Sequence, residues 1–121
     1  MVIACHSRNR SWLVLAAVAL LSAGCHTGKA LPVETLDSPA SRLFNGYSKP
    51  NVKCYSCHNG DGHGANGPNL AERVPKLSDE GLLSTINEGP SYMPSYRDDL
   101  TDAEKGELVS WLRQRFGKPR K

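Results

Sequence analysis

The hydrophobic pattern of this chain changes character three times. Residues 1–11 (MVIACHSRNRS) carry Arg8 and Arg10 but no acid, and Trp12 to Ala23 (WLVLAAVALLSA) is almost wholly apolar. A basic start, a short apolar run and then small residues make the pattern of an export signal. An apolar run of about 12–13 residues falls short of the roughly 20 that a membrane-spanning helix needs. From His26 to Asp37 (HTGKALPVETLD) the chain is polar and aperiodic, which predicts a tether. As a flexible coil it would span about 20 Å. Beyond it, three helices are predicted. Ser38 can cap the first, with Pro39 at its opening position and Gly46 after about Asn45. Ser78 can cap a second, in which Leu82, Leu83 and Ile86 share a face and Gly89-Pro90 makes the stop. Thr101-Asp102-Ala103-Glu104 is a capping box, followed by Leu108, Trp111/Leu112 and Phe116 at helical spacing before Gly117. No segment alternates β-branched residues convincingly. The expectation is a signal at 1–24, a flexible tether at 25–37 and one all-α domain with long loops at 38–121.

Size and charge add two constraints. The apolar inventory of the domain is modest: Leu43, Phe44, Leu70, Leu77, Leu82, Leu83 and Ile86 in its first two thirds, then Leu100, Leu108, Val109, Trp111, Leu112 and Phe116. A domain this small buries little core unaided and often needs a staple. If the chain is cut before Cys25, Arg8 and Arg10 go with the signal, leaving 13 basic against 12 acidic residues, a formal +1. Nucleic acid is therefore a poor partner for the exported chain. Arg113, Arg115, Lys118, Arg120 and Lys121 cluster at the end. They read as a solvated helix terminus favoured by the helix dipole, or as a docking patch for an acidic partner or anionic lipid.

The chemistry concentrates at Cys54-Tyr55-Ser56-Cys57-His58. C-x-x-C-H is the attachment sequence of c-type haem: two thiols add to porphyrin vinyl groups and the adjoining imidazole reaches the iron. Three other readings compete. A thioredoxin-like redox pair wants a βαβ context that does not precede it. A zinc site wants a second ligand pair, and only His63 is spare. A structural disulfide across two residues is uncommon. Haem attachment is the favoured reading, and a covalent haem c would be the missing staple.

Of the other two cysteines, Cys5 leaves with the signal. Leu21-Ser22-Ala23-Gly24-Cys25 resembles a bacterial lipobox, in which cleavage makes the cysteine the first residue and the site of lipid attachment. Ser22 stands where leucine is preferred. Ordinary cleavage would instead leave Cys25 a lone thiol in an oxidising compartment, a liability. The expectation is a lipoprotein held at a bacterial membrane, facing the periplasm or cell exterior, since two or more acyl chains give stable anchoring.

After His58 the chain reads Asn59-Gly60-Asp61-Gly62-His63-Gly64-Ala65-Asn66-Gly67-Pro68-Asn69-Leu70, without the acidic series of a calcium loop or the ending of a phosphate loop. With Leu43-Phe44, CYSCH, this glycine-rich stretch, Gly67-Pro68-Asn69-Leu70, Met93-Pro94-Ser95-Tyr96 and a last helix opening at Leu-Thr, the order resembles class I cytochrome c of the small bacterial kind, over about 80 residues. The resemblance implies three or more helices wrapped around one covalent haem. It implies His58 as proximal iron ligand, the backbone carbonyl near Pro68 as acceptor of its Nδ1–H, Met93 as the opposite axial ligand, and a contact of Ala40/Phe44 with Trp111. Family members have fewer residues between the helix aromatic and the first cysteine; here Gly46 to Asn51 are inserted, expected beside the exposed haem edge.

Among the residues themselves, Met93 is the only methionine after Met1 and lies in a loop between Pro90 and Pro94. A lone methionine is often core filler. His63 is five residues past His58, too close to reach the opposite haem face easily, and His26 lies in the tether. Tyr92 and Tyr96 either hydrogen-bond the ligand or a propionate, or simply pack. With both axial positions filled, the expected role is one-electron transfer between redox proteins, with no small-molecule substrate and no catalysis by this chain alone, as a shuttle or as the cytochrome subunit of an oxidoreductase complex. An open iron, were Met93 not bound, would point to a gas sensor or a peroxidase-like enzyme. A chain without haem would be a structural lipoprotein.

Overall fold

A computed structural model describes residues 27–117. The signal, Cys25, His26, Lys118, Arg120 and Lys121 lie outside the described residues. Five α-helices follow one another, α1 Pro39–Phe44, α2 Tyr55–His58, α3 Leu70–Arg73, α4 Asp79–Glu88 and α5 Asp102–Phe116, with 3-10 turns at Val33–Thr35 and Val74–Lys76. Among the described residues there is no strand, so the all-α expectation holds. None of their helices is long and apolar enough to cross a membrane.

The three expected helices start where their caps stand. Ser38 and Ser41 form a reciprocal capping box at α1, each hydroxyl accepting the other's backbone N–H at 3.1 Å. Ser78 Oγ accepts Gly81 N–H at 3.1 Å at α4. At α5, Thr101 Oγ1 accepts Glu104 N–H at 3.2 Å while Glu104 Oε2 accepts Thr101 N–H at 2.8 Å. Satisfying these orphan donors is worth about 1 kcal/mol per cap, so Thr101→Ala should lower the unfolding free energy by about that much in a denaturant titration.

Glu104 also holds Lys49 Nζ at 2.7 Å. That hydrogen bond, followed by the one from Thr101 N–H, keeps its carboxyl below its ordinary value of 4.5. The stabilisation is complete above the ordinary value and is lost as pH falls through the lowered native value. Unfolding curves across that acid window should therefore show wild-type stability declining more steeply than that of Glu104→Gln.

The core sits where α1 crosses α5. Phe44 and Trp111 meet with ring centroids 5.1 Å apart, as the resemblance implied, and Ala40 is buried beside them. Trp111 itself is half-buried, with Phe116 on its other side at 6.3 Å and the Arg115 guanidinium 5.9 Å from its ring centre. Two valines outside the expected inventory, Val52 and Val74, are the most completely buried of the large side chains.

Three expectations are corrected. Residues 27–37 are not a free coil: Gly28 N–H donates to Ser56 O (2.8 Å), Gly60 N–H to Lys29 O (2.8 Å) and Lys29 N–H to Asn59 Oδ1 (2.9 Å). Leu31 N–H donates to Asn45 Oδ1 at 2.8 Å, and Leu36 is buried. The segment is a strap, ordered by backbone hydrogen bonds that its polar composition does not reveal. Arg113 is not part of a solvated basic patch: its guanidinium donates to Asp79 Oδ1 (2.6 Å), Val74 O (2.7 Å) and Leu77 O, bracing the 3-10 turn and α4 against α5. The inserted residues 46–51 do not border the cavity lined by Cys54, Cys57 and His58. Lys49 reaches Asp99 O and Glu104, Asn51 bonds Asp99, and Tyr47 OH donates to Leu31 O at 2.9 Å, so the insertion ties α5 and the strap together.

Candidate haem site

The single turn α2 carries Cys57 and His58, with Cys54 immediately before it. Four residues make too short a helix to stand alone. It is held by the chain that follows: Ala65 and Gly67 N–H donate to Cys57 O at 2.9 and 2.7 Å, and Gly64 N–H to His58 O at 2.8 Å. The loop so folded brings the Pro68 carbonyl to His58 Nδ1 at 2.9 Å. A carbonyl only accepts, so Nδ1 carries the proton and the lone pair of the neutral ring stays on Nε2. That bond also fixes the ring's orientation.

Cys54, Cys57, His58 and Pro68 line a cavity of about 460 Å³, and Met93, Pro94 and Tyr96 line it as well. The walls between are apolar, including Leu70, Val74, Leu82, Ile86, Leu108 and Leu112. The Met93 loop hangs from the end of α4: Met93 N–H donates to Pro90 O at 3.1 Å and Tyr96 N–H to Ile86 O at 3.0 Å. Gly89 caps α4 in the left-handed region, φ +60°, and a Cβ there would overlap the backbone of Met93, Pro94 and Ser95. Tyr96 is buried, and burial raises its hydroxyl pKa. Tyr92 is fully exposed at the cavity mouth.

The residues present fit a covalent haem. Both thiols are free of any disulfide. Burial pushes the Cys54 thiol up to about 12. Among the described residues no group of three or more His, Cys, Asp or Glu side chains could hold a metal ion, which leaves the zinc reading without its ligands. His63 lies outside the cavity, exposed, 3.5 Å from Asp61 and edge-on to Phe116. Asp61 is held below the ordinary carboxylate range, chiefly by the His63 backbone N–H.

A sequence-family model described as cytochrome C oxidase, cbb3-type, subunit III matches residues 38–112. The chain belongs to this family of c-type cytochromes. It binds haem c as an electron-transfer domain, and that role implies redox partners. A comparison with curated proteins gave no match. The match begins at the α1 cap and ends within α5, so it covers every helix that borders the cavity of the cytochrome.

Sequence reasoning missed several residues that shape this site. Asn45 is buried, accepts from Leu31 N–H, and donates to Ser41 O at 3.0 Å and Gly60 O at 3.4 Å. Asn59 follows His58 at φ 62°, ψ 153°, a backbone region used almost solely by glycine, and Lys29 and Asp61 clamp its side chain. An Asn after the motif was visible, but nothing local says that an upstream strap grips it.

Proposed function

We propose that the protein is a mono-haem, one-electron carrier with haem c bonded through Cys54 and Cys57, iron held by His58 and Met93, and a lipid anchor at Cys25. The observation that carries this reading is the cavity itself: His58, with Nδ1 committed to the Pro68 carbonyl, and Met93 border the same apolar space as the two thiols. When bound, haem supplies a ferric/ferrous couple, and a thioether opposite imidazole favours the ferrous ion and raises its potential. The chain's own part is to orient the imidazole, to hold the sulfur on a loop fastened at Pro90 and Ile86, and to line the site with aliphatic carbon. With His58 and Met93 both holding the iron, neither would have to leave, and reorganisation on electron transfer would be small. The setting is a respiratory chain outside a bacterial membrane, as a shuttle or as the cytochrome subunit of an oxidoreductase, in keeping with the description of the matching family.

The ferric absorption spectrum tests the ligand pair. A weak far-red sulfur–iron charge-transfer band is expected, and the ferrous protein should bind carbon monoxide poorly. Absence of the band in well-folded protein, with ready carbon monoxide binding, would replace this reading by that of a gas sensor or peroxidase-like enzyme. The mass of the mature chain should show one haem and the acyl groups; an unmodified Cys54–Cys57 pair would end the haem reading.

A further inference from the structure

The strap changes what an anchor at Cys25 does. A free coil from His26 to Asp37 would let the domain turn in any direction at the end of about 20 Å. Instead Gly28 is fastened to the outer side of α2 by its bond to Ser56 O, and the next residue by bonds to Gly60 and Asn59. The contact is close enough that a Cβ on Gly28 would overlap the Tyr55 carbonyl. Only three residue steps separate Gly28 from Cys25, a reach of at most about 10 Å.

We propose that the lipid surface itself is the partner of this face: the outer side of α2, with Gly28, Lys29, Tyr55 and Asn59, lies against the headgroups. The inference rests on the lipid-anchor reading of Cys25 and adds a fixed orientation to it. Ser56 both holds the strap and borders the cavity, so the cavity rim beside the thioether positions sits close to the bilayer plane. Lys76, at the end of the 3-10 turn before α4, is not part of that face. The electron partner is then a membrane-embedded protein that presents its redox centre at the same surface, not one met at the end of a swinging tether.

Lysine acylation rates read by mass spectrometry test this on the full mature protein, in vesicles of phosphatidylethanolamine and phosphatidylglycerol. Lys29 on the strap and Lys76 on the α4 side are both exposed. Compared with a non-acylated Cys25→Ser form in solution, Lys29 should react several-fold more slowly on vesicles and Lys76 at an unchanged rate. A flexible Gly-Ser spacer inserted between Thr27 and Gly28 should restore the Lys29 rate. If the acylated wild type shows equal slowing at both lysines, or at neither, the orientation is wrong while the anchor stands. A mature chain that lacks the acyl mass removes the anchor, and the orientation falls with it.

Discussion

Gly89→Ala should abolish the far-red band of the ferric protein and open the ferrous iron to carbon monoxide, although residue 89 does not line the cavity. Gly89 ends α4 at φ +60° and its Cα faces the backbone of Met93–Ser95 without room for a Cβ. The left-handed backbone alone costs an alanine about 1–2 kcal/mol. The overlap is with main chain, which cannot rotate aside as a side chain does. The loop must therefore move outward, and the sulfur moves with it. A denaturant titration of the haem-loaded variant should show a loss of at least about 1–2 kcal/mol. Retention of an unaltered far-red band would mean that the loop reaches its place without the glycine.

Phe44→Ala should be the most destabilising of the substitutions considered, at about 3–5 kcal/mol. The ring is 3% exposed, packs on Trp111 at 5.1 Å and on His58 at 6.5 Å, and borders the cavity. Its removal takes apolar surface from both the α1–α5 crossing and the flank of His58. Equilibrium unfolding of the haem-loaded protein measures the loss, and Phe44→Leu, which keeps most of the volume, should recover more than half of it. A loss under about 1 kcal/mol would place the ring outside the cooperative core.

What the sequence made legible was whatever is encoded locally. Caps at Ser38, Ser78 and Thr101 and the stops at Gly46, Gly89 and Gly117 placed the three main helices almost to the residue. CYSCH, Pro68 and Met93 are each marked by neighbours a few positions away, and the structure brings them to one cavity. What escaped has no local signature. The strap is held by main-chain groups that every residue possesses, so its composition reads as coil. Val52 and Val74 stand alone in polar surroundings and acquire their burial from segments distant in the chain. Arg113 was one charge among five until its three oxygen partners, contributed by Val74, Leu77 and Asp79, gave it a different task. Residues 46–51 were measured against a family spacing, which counts an insertion but says nothing of where it folds.

The two sides of the cavity differ in how far apart in sequence their parts lie. From Cys54 to Pro68 the thiols, the imidazole and the carbonyl that orients it are contiguous, stitched by bonds between residues no more than ten apart. Met93 joins them from a point 35 residues beyond His58. The entropy lost in closing a loop rises with its length, and short closures are also the faster ones. Closing the Met93 part of the cavity therefore carries the larger loop-closure entropy, while the His58 part is set largely by its own neighbours in the chain.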